Sequence, residues 1–124
     1  MIDTDILVDA GRGLTAAKDF LATQQRTDGI SISVISVMEL IEGCRNRSAL
    51  TRVQRFLIFA RLLPVTASAS LAAYRLMESF FLSHILRLAD ALIAATALAH
   101  HEPLYTKNVR HFRMIPGLSV MRPY

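Results

Sequence analysis

The residues able to do chemistry in this chain are acidic and widely spaced. Asp3 directly follows a very short apolar run at Met1 and Ile2, and Asp5 stands two residues further on. Glu39 lies among Val37, Met38, Leu40 and Ile41, an environment in which an ionised carboxylate needs a partner. Asp90 is the only charge between Ala89 and Ala99, and Asn108 comes shortly after Leu104 and Tyr105. Carboxylates drawn within about 4–6 Å of one another push each other's pKa upward, so a cluster is costly unless a cation neutralises it. Mg²⁺ and Mn²⁺ prefer carboxylate and water oxygens, and Mg²⁺ keeps several waters that a phosphate can displace. One or two such ions could bind a phosphodiester, lower the pKa of the attacking water and stabilise charge on the leaving oxygen. Each residue also has a local explanation. Asp90 stands where a helix N-cap would, Glu39 can close a capping box on Ser36, Asp3 and Asp5 can serve as turn or first-turn residues, and Asn108 can cap a short helix.

The elements that must position these side chains follow from the apolar pattern. Short β-like runs are expected at Met1–Ile2, Ile30–Ile32, Leu104–Tyr105 and 118–120, with an edge strand over Leu62–Val65. Helices are expected over 6–10, 15–23, from Ser33 or Ser36 to about Cys44, over 49–61, 67–82 and 89–100. In the helix over 67–82, Leu71, Tyr74, Met77, Glu78 and Phe81 share one broad face. Strands alternating with helices imply an α/β fold, a parallel sheet covered on both sides, and ligands bind outside the carboxyl ends of the strands in such sheets. Asp3 and Asn108 would both fall at that end.

The chain has 124 residues, which allows one domain over 1–124. With 52% hydrophobic against 19% charged residues, it is too apolar for a disordered chain, and some of that apolar surface is available for a partner. The longest nearly uncharged stretch is far shorter than a bilayer span, so no membrane association is expected. The acidic N-terminus lacks the positive charge of a secretory signal, and a single cysteine, Cys44, excludes an internal disulfide; both suit the cytoplasm. A formal charge of +4, from 14 Lys and Arg against 10 Asp and Glu, makes polyanions plausible partners. Asp9, Asp19, Glu42, Glu78 and Glu102 read as solvated or locally paired, with Glu42 one turn from Glu39.

Four segments taken in order resemble the PIN-domain family, and within it the VapC-type toxin branch. They are Asp3-Thr4-Asp5-Ile6-Leu7-Val8-Asp9, Val37-Met38-Glu39-Leu40-Ile41-Glu42-Gly43, the run from Ala89 to Leu98, and the closing stretch from Leu104 to Phe112 with Ile115-Pro116-Gly117-Leu118. The resemblance spans essentially the whole chain. It implies a three-layer fold with a central parallel sheet flanked by helices, and a Mg²⁺ or Mn²⁺ site that hydrolyses RNA. It assigns catalysis to Asp3, Glu39, Asp90 and Asn108, metal binding to Asp3, Glu39 and Asp90, and supporting roles to Asp5 and Thr106. It also implies a homodimer and a VapB-type antitoxin that blocks the site.

Two departures stand out. Asn108 occupies a position where many relatives carry aspartate, which removes one negative charge, and only Met1 and Ile2 precede Asp3, which leaves the central strand short of ladder hydrogen bonds. Arg45, Arg47, Lys107 and Arg110, with Arg52, Arg55 and Arg113, lie near the acidic motifs in sequence and could meet RNA phosphates, or could equally be solvated faces. Metal-independent cleavage by a histidine pair would survive EDTA. A catalytically weak PIN-like module binding RNA or protein would bind without cutting.

Overall fold

The computed structural model describes residues 1–124. Helix α1 (Thr4–Gly11) starts immediately after Asp3, whose side chain accepts from the Thr4 N–H and so caps it. Helix α2 (Thr15–Thr27) follows, and Gly29, with φ +78°, turns the chain into strand β1 (Ile30–Ser33). That left-handed backbone suits glycine because no Cβ clashes there. Helix α3 (Val34–Glu42) is capped by Ser33, which accepts from the Ile35 N–H. The capping box expected between Ser36 and Glu39 does not form, because Ser36 lies buried inside the helix with its hydroxyl unpaired.

Helix α4 (Arg47–Leu57), capped by Asn46, ends four residues short of the helix expected to reach Arg61, and Ala60–Leu63 forms strand β2. The amphipathic pattern overran the boundary because Ala60 keeps an apolar position in either geometry. Helices α5 (Ala67–His84) and α6 (Leu88–Ala99) pack together before β3 (Leu104–Tyr105), a single turn at Val109–His111 and β4 (Val120–Met121).

All pairings are parallel, in the order β2, β1, Ile2, β3, β4. The short opening run is thus the centre of the sheet. Ile2 N–H donates to Ser31 O at 2.8 Å, Asp3 N–H to Tyr105 O at 3.0 Å, and Tyr105 N–H to Met1 O at 2.9 Å, so the three residues Met1 to Asp3 engage both neighbours. The core divides by strand alternation. Met1, Leu63 and Leu104 turn toward α5 and α6, and Ile2, Ile30 and Ile32 toward α1, α2 and Val37 of α3. The result is the expected central parallel sheet with helices on both sides.

Alanines decide how α5 and α6 meet. Ala69 and Ala73 of α5 are buried together with Ala91, Ala94, Ala95 and Ala97 of α6, which allows close approach and seals the helix below Asp90. The broad face of α5 that carries Leu71, Tyr74 and Phe81 is therefore largely turned outward. Leu71 and Tyr74 are each 61% exposed and Phe81 49%, while Met77 packs inward with Leu76 and Phe80. Together with Leu82, Ile85 and Leu88, they leave an apolar surface around the α5–α6 junction.

Candidate active site

The starts of two helices, the C-terminal half of a third and the loop after one strand converge on a cleft at the carboxyl edge of the sheet. Asp3 and Thr4 come from the start of α1, Asp5 from its first turn, Glu39 and Glu42 from α3, Asp90 from the first turn of α6 and Asn108 from the loop after β3. With Gly43 they line an open cleft of about 510 Å³ that has no hydrophobic wall residue. The four residues expected to carry chemistry are thus brought together, although up to 105 positions (108 − 3) separate them in sequence. Asp90 is not an N-cap: Arg87 holds that position and Asp90 stands three residues further, where the helix dipole still favours its charge. Asn108 precedes the single turn at Val109–His111 without capping it through its side chain.

Hydrogen bonds fix this wall. Thr4 Oγ1 donates to Glu39 Oε2. Asp5 Oδ2 accepts from Thr106 Oγ1 at 3.3 Å and from the Lys107 N–H at 2.9 Å, and the Asn108 N–H donates to Thr106 Oγ1 at 2.9 Å. Thr106 is fully buried, so the loop bearing Asn108 is tied through it to α1. His111 Nδ1 lies 3.5 Å from Asp90 Oδ2.

The electrostatics of the cleft are those of negative charge left uncompensated. Burial, the neighbouring Asp5 charge and, more weakly, Asp90 push the Asp3 carboxyl up to about 7, against smaller opposing help from the Thr106 hydroxyl and the Thr4 N–H. Burial also raises Asp90, with His111 and Arg87 opposing and Asp5 reinforcing the rise. No three His, Cys, Asp or Glu side chains converge closely enough to cage an ion with protein ligands alone. The donor set does fit a hard, partly hydrated divalent cation. Mg²⁺ is commonly held by one or two carboxylates and completes its shell with water, and Asp5 Oδ1 is a buried acceptor with no partner.

Glu42, read as a solvated charge, lines the cleft, and its spacing one turn from Glu39 was the signal for it. Thr4 and Gly43 were not singled out. Among the basic residues, Arg45, Arg47 and Arg110 are exposed on segments that continue the cleft walls, whereas the Lys107 ammonium is bound to Asp9, which also accepts from Tyr124 OH at 3.2 Å. Asp9 is therefore a tertiary anchor rather than a solvated or locally paired charge.

A parallel sheet with helices on both faces and an acidic cleft at its carboxyl edge is the architecture of PIN domains, and the PIN-domain family model matches residues 1–117. The chain belongs to the PIN-domain family, in its VapC-type branch. It is 37% identical over 120 residues to Ribonuclease VapC10 of Mycobacterium tuberculosis, covering 96% of this chain and 90% of that one. Ribonuclease VapC19 of the same organism is also 37% identical, over 121 residues and 96% of both chains. Among solved structures, a toxin-antitoxin complex from Klebsiella pneumoniae superposes with a TM-score of 0.81 at 30% identity, covering 99% of this chain and 96% of that one. VapBC2 from Rickettsia felis bound to a promoter DNA fragment superposes with a TM-score of 0.85 at 23% identity, over 98% and 96% of the two chains, which is a likeness of fold.

Proposed function

We propose that this chain is the ribonuclease toxin of a VapBC-type toxin–antitoxin pair, an endoribonuclease that hydrolyses RNA phosphodiesters at the acidic cleft. The observation that carries the reading is the meeting of Asp3, Glu39, Asp90 and Asn108 in one open cleft, with Asp3 itself buried. Asp3, Glu39 and Asp90 are the residues that would hold Mg²⁺ or Mn²⁺. Such an ion supplies charge neutralisation, an activated water and stabilisation of the leaving oxygen. The chain's own side chains do the rest. Thr4 orients Glu39, His111 holds Asp90, and Thr106 with Asp5 fixes the loop that presents Asn108 to the substrate side. Arg45, Arg47 and Arg110, exposed near the acidic residues in sequence, would receive backbone phosphates.

The activity named for VapC10 and VapC19 and the complex from Klebsiella pneumoniae support a VapB-type antitoxin as partner and RNA as substrate. Exposed Phe81, Leu82, Ile85 and Leu88 supply apolar surface for a homodimer or the antitoxin to cover. No helix is long and apolar enough to cross a membrane, and action on RNA is assigned to the cytoplasm.

The test is cleavage of total RNA by antitoxin-free protein with Mg²⁺ or Mn²⁺, with EDTA, and with Asp90→Asn. Cleavage that requires the metal and falls at least about 100-fold in the variant is expected, since even residues that only orient metal ligands typically cost 10–100-fold. Cleavage indifferent to EDTA and to the substitution would reject the acidic mechanism. Binding of RNA without cleavage in any lane would leave a binding module.

A further inference from the structure

We propose that Asp5 supplies, in this chain, the site carboxylate that Asn108 does not, so that the cleft's fourth carboxylate comes from the first turn of α1 instead of the loop after β3. This rests on the metal-site reading above and deepens it.

The geometry of Asp5 divides its two oxygens. Oδ2 is held from two directions, by the Thr106 hydroxyl at 3.3 Å and the Lys107 N–H at 2.9 Å, so the carboxylate plane is fixed. Oδ1 is shut off from solvent and receives no hydrogen bond. If the side chain served only to fasten the loop after β3, an asparagine would do as well, because its single carbonyl oxygen could accept the same two bonds. What aspartate adds is a charge and a second acceptor, and an unpaired buried acceptor is a cost the fold bears unless something occupies it.

Position 108 completes the argument. Asn108 lines the same cleft as Asp5, and its N–H reaches the same carboxylate through the Thr106 hydroxyl. The two positions are therefore mechanically linked, and a carboxylate at either would add its charge to Asp3 and Asp90. Glu42 is the other acid on the wall beyond the expected set, but it is exposed, where water screens its charge.

The experiment measures Mn²⁺ binding to the purified, antitoxin-free chain at pH 8 by the loss of free Mn²⁺ signal in electron paramagnetic resonance, a readout independent of cleavage. The set is wild type, Asp3→Asn, Asp5→Asn, Asn108→Asp, the double variant Asp5→Asn/Asn108→Asp, and Glu42→Gln as the exposed control. We expect Asp5→Asn to weaken Mn²⁺ binding about 10-fold or more, and the double variant to recover to within about 3-fold of wild type, the scale of effects seen around metal sites. Glu42→Gln should change it less than about 3-fold. Circular dichroism of metal-free Asp5→Asn, which keeps the acceptor for Thr106 and Lys107, should be that of wild type. Binding by Asp5→Asn equal to wild type, or a double variant no better than Asp5→Asn alone, would overturn the inference. If Asp3→Asn abolishes binding while Asp5→Asn does not, this inference fails and the metal-site reading stands; if Asp3→Asn binds as wild type does, that reading fails with it.

Discussion

The two ends of the sheet hold buried or half-buried carboxylates in opposite circumstances. At the amino end, Glu102 accepts from the Met1 ammonium at 3.2 Å, from the Ser31 hydroxyl at 3.0 Å and from Arg61. Burial works upward on its pKa, but the ammonium, Ser31 and Arg61 outweigh it and the carboxyl sits below its ordinary value. At the carboxyl end, Asp3 is 6% exposed, faces Asp5 and Asp90, and rises to about 7. The same fold thus satisfies one acid fully and leaves the other in debt. The first arrangement is that of a structural carboxylate, and the second is that of a perturbed carboxylate in a cleft, the kind found at functional sites.

Substitution at the two ends should therefore act with opposite sign. Glu102→Ala strands the Met1 ammonium and Ser31 and frees Arg61, and it should destabilise the chain by about 3 kcal/mol in urea unfolding, the usual scale for breaking a buried charged network. Asp3→Asn should raise the stability of the metal-free protein at pH 8 while abolishing Mn²⁺ binding. A loss of stability in both variants would erase the contrast. A smaller effect is expected at His111, which touches Asp90 but leaves Asp3 and Asp5 untouched. His111→Ala should lower Mn²⁺-dependent cleavage about 10-fold, as outer partners of metal ligands do. A cleavage rate unchanged by it would remove His111 from the site.

Much of the cleft was legible because its residues are anomalies of local pattern. Asp90 is a lone charge in an apolar helix, Glu39 sits among aliphatic residues, and both lie on helices whose starts could be placed to within a few residues. The sheet was legible as alternation of short and long apolar runs, including the two-residue strand at its centre. What escaped depends on contacts distant in sequence. The pairings of Glu102 with Met1 and Arg61 and of Asp9 with Lys107 join residues 41 to 101 positions apart, and no local pattern announces them. The sequence grouped the large apolar side chains of α5 on one face without showing which face packs. Packing against α6 instead favoured Ala69 and Ala73, whose small size brings the two backbones together, and left Leu71, Tyr74 and Phe81 outside.

The most direct test of the uncompensated cleft is thermal unfolding of wild type and Asp3→Asn from pH 5 to pH 8, with and without Mn²⁺. Because the folded-state pKa of Asp3 lies above its ordinary value of 3.8, at about 7, the folded chain holds between those two values a proton that the unfolded chain has lost. Unfolding there releases a proton, and the Asp3 contribution to stability falls as pH rises, by about 4 kcal/mol in all and by roughly 3 kcal/mol between pH 5 and pH 8. The account predicts that the metal-free wild type loses several degrees in Tm relative to Asp3→Asn between pH 5 and pH 8, and that Mn²⁺ restores it at pH 8 with little effect at pH 5. Parallel curves for the two proteins, indifferent to Mn²⁺, would contradict it.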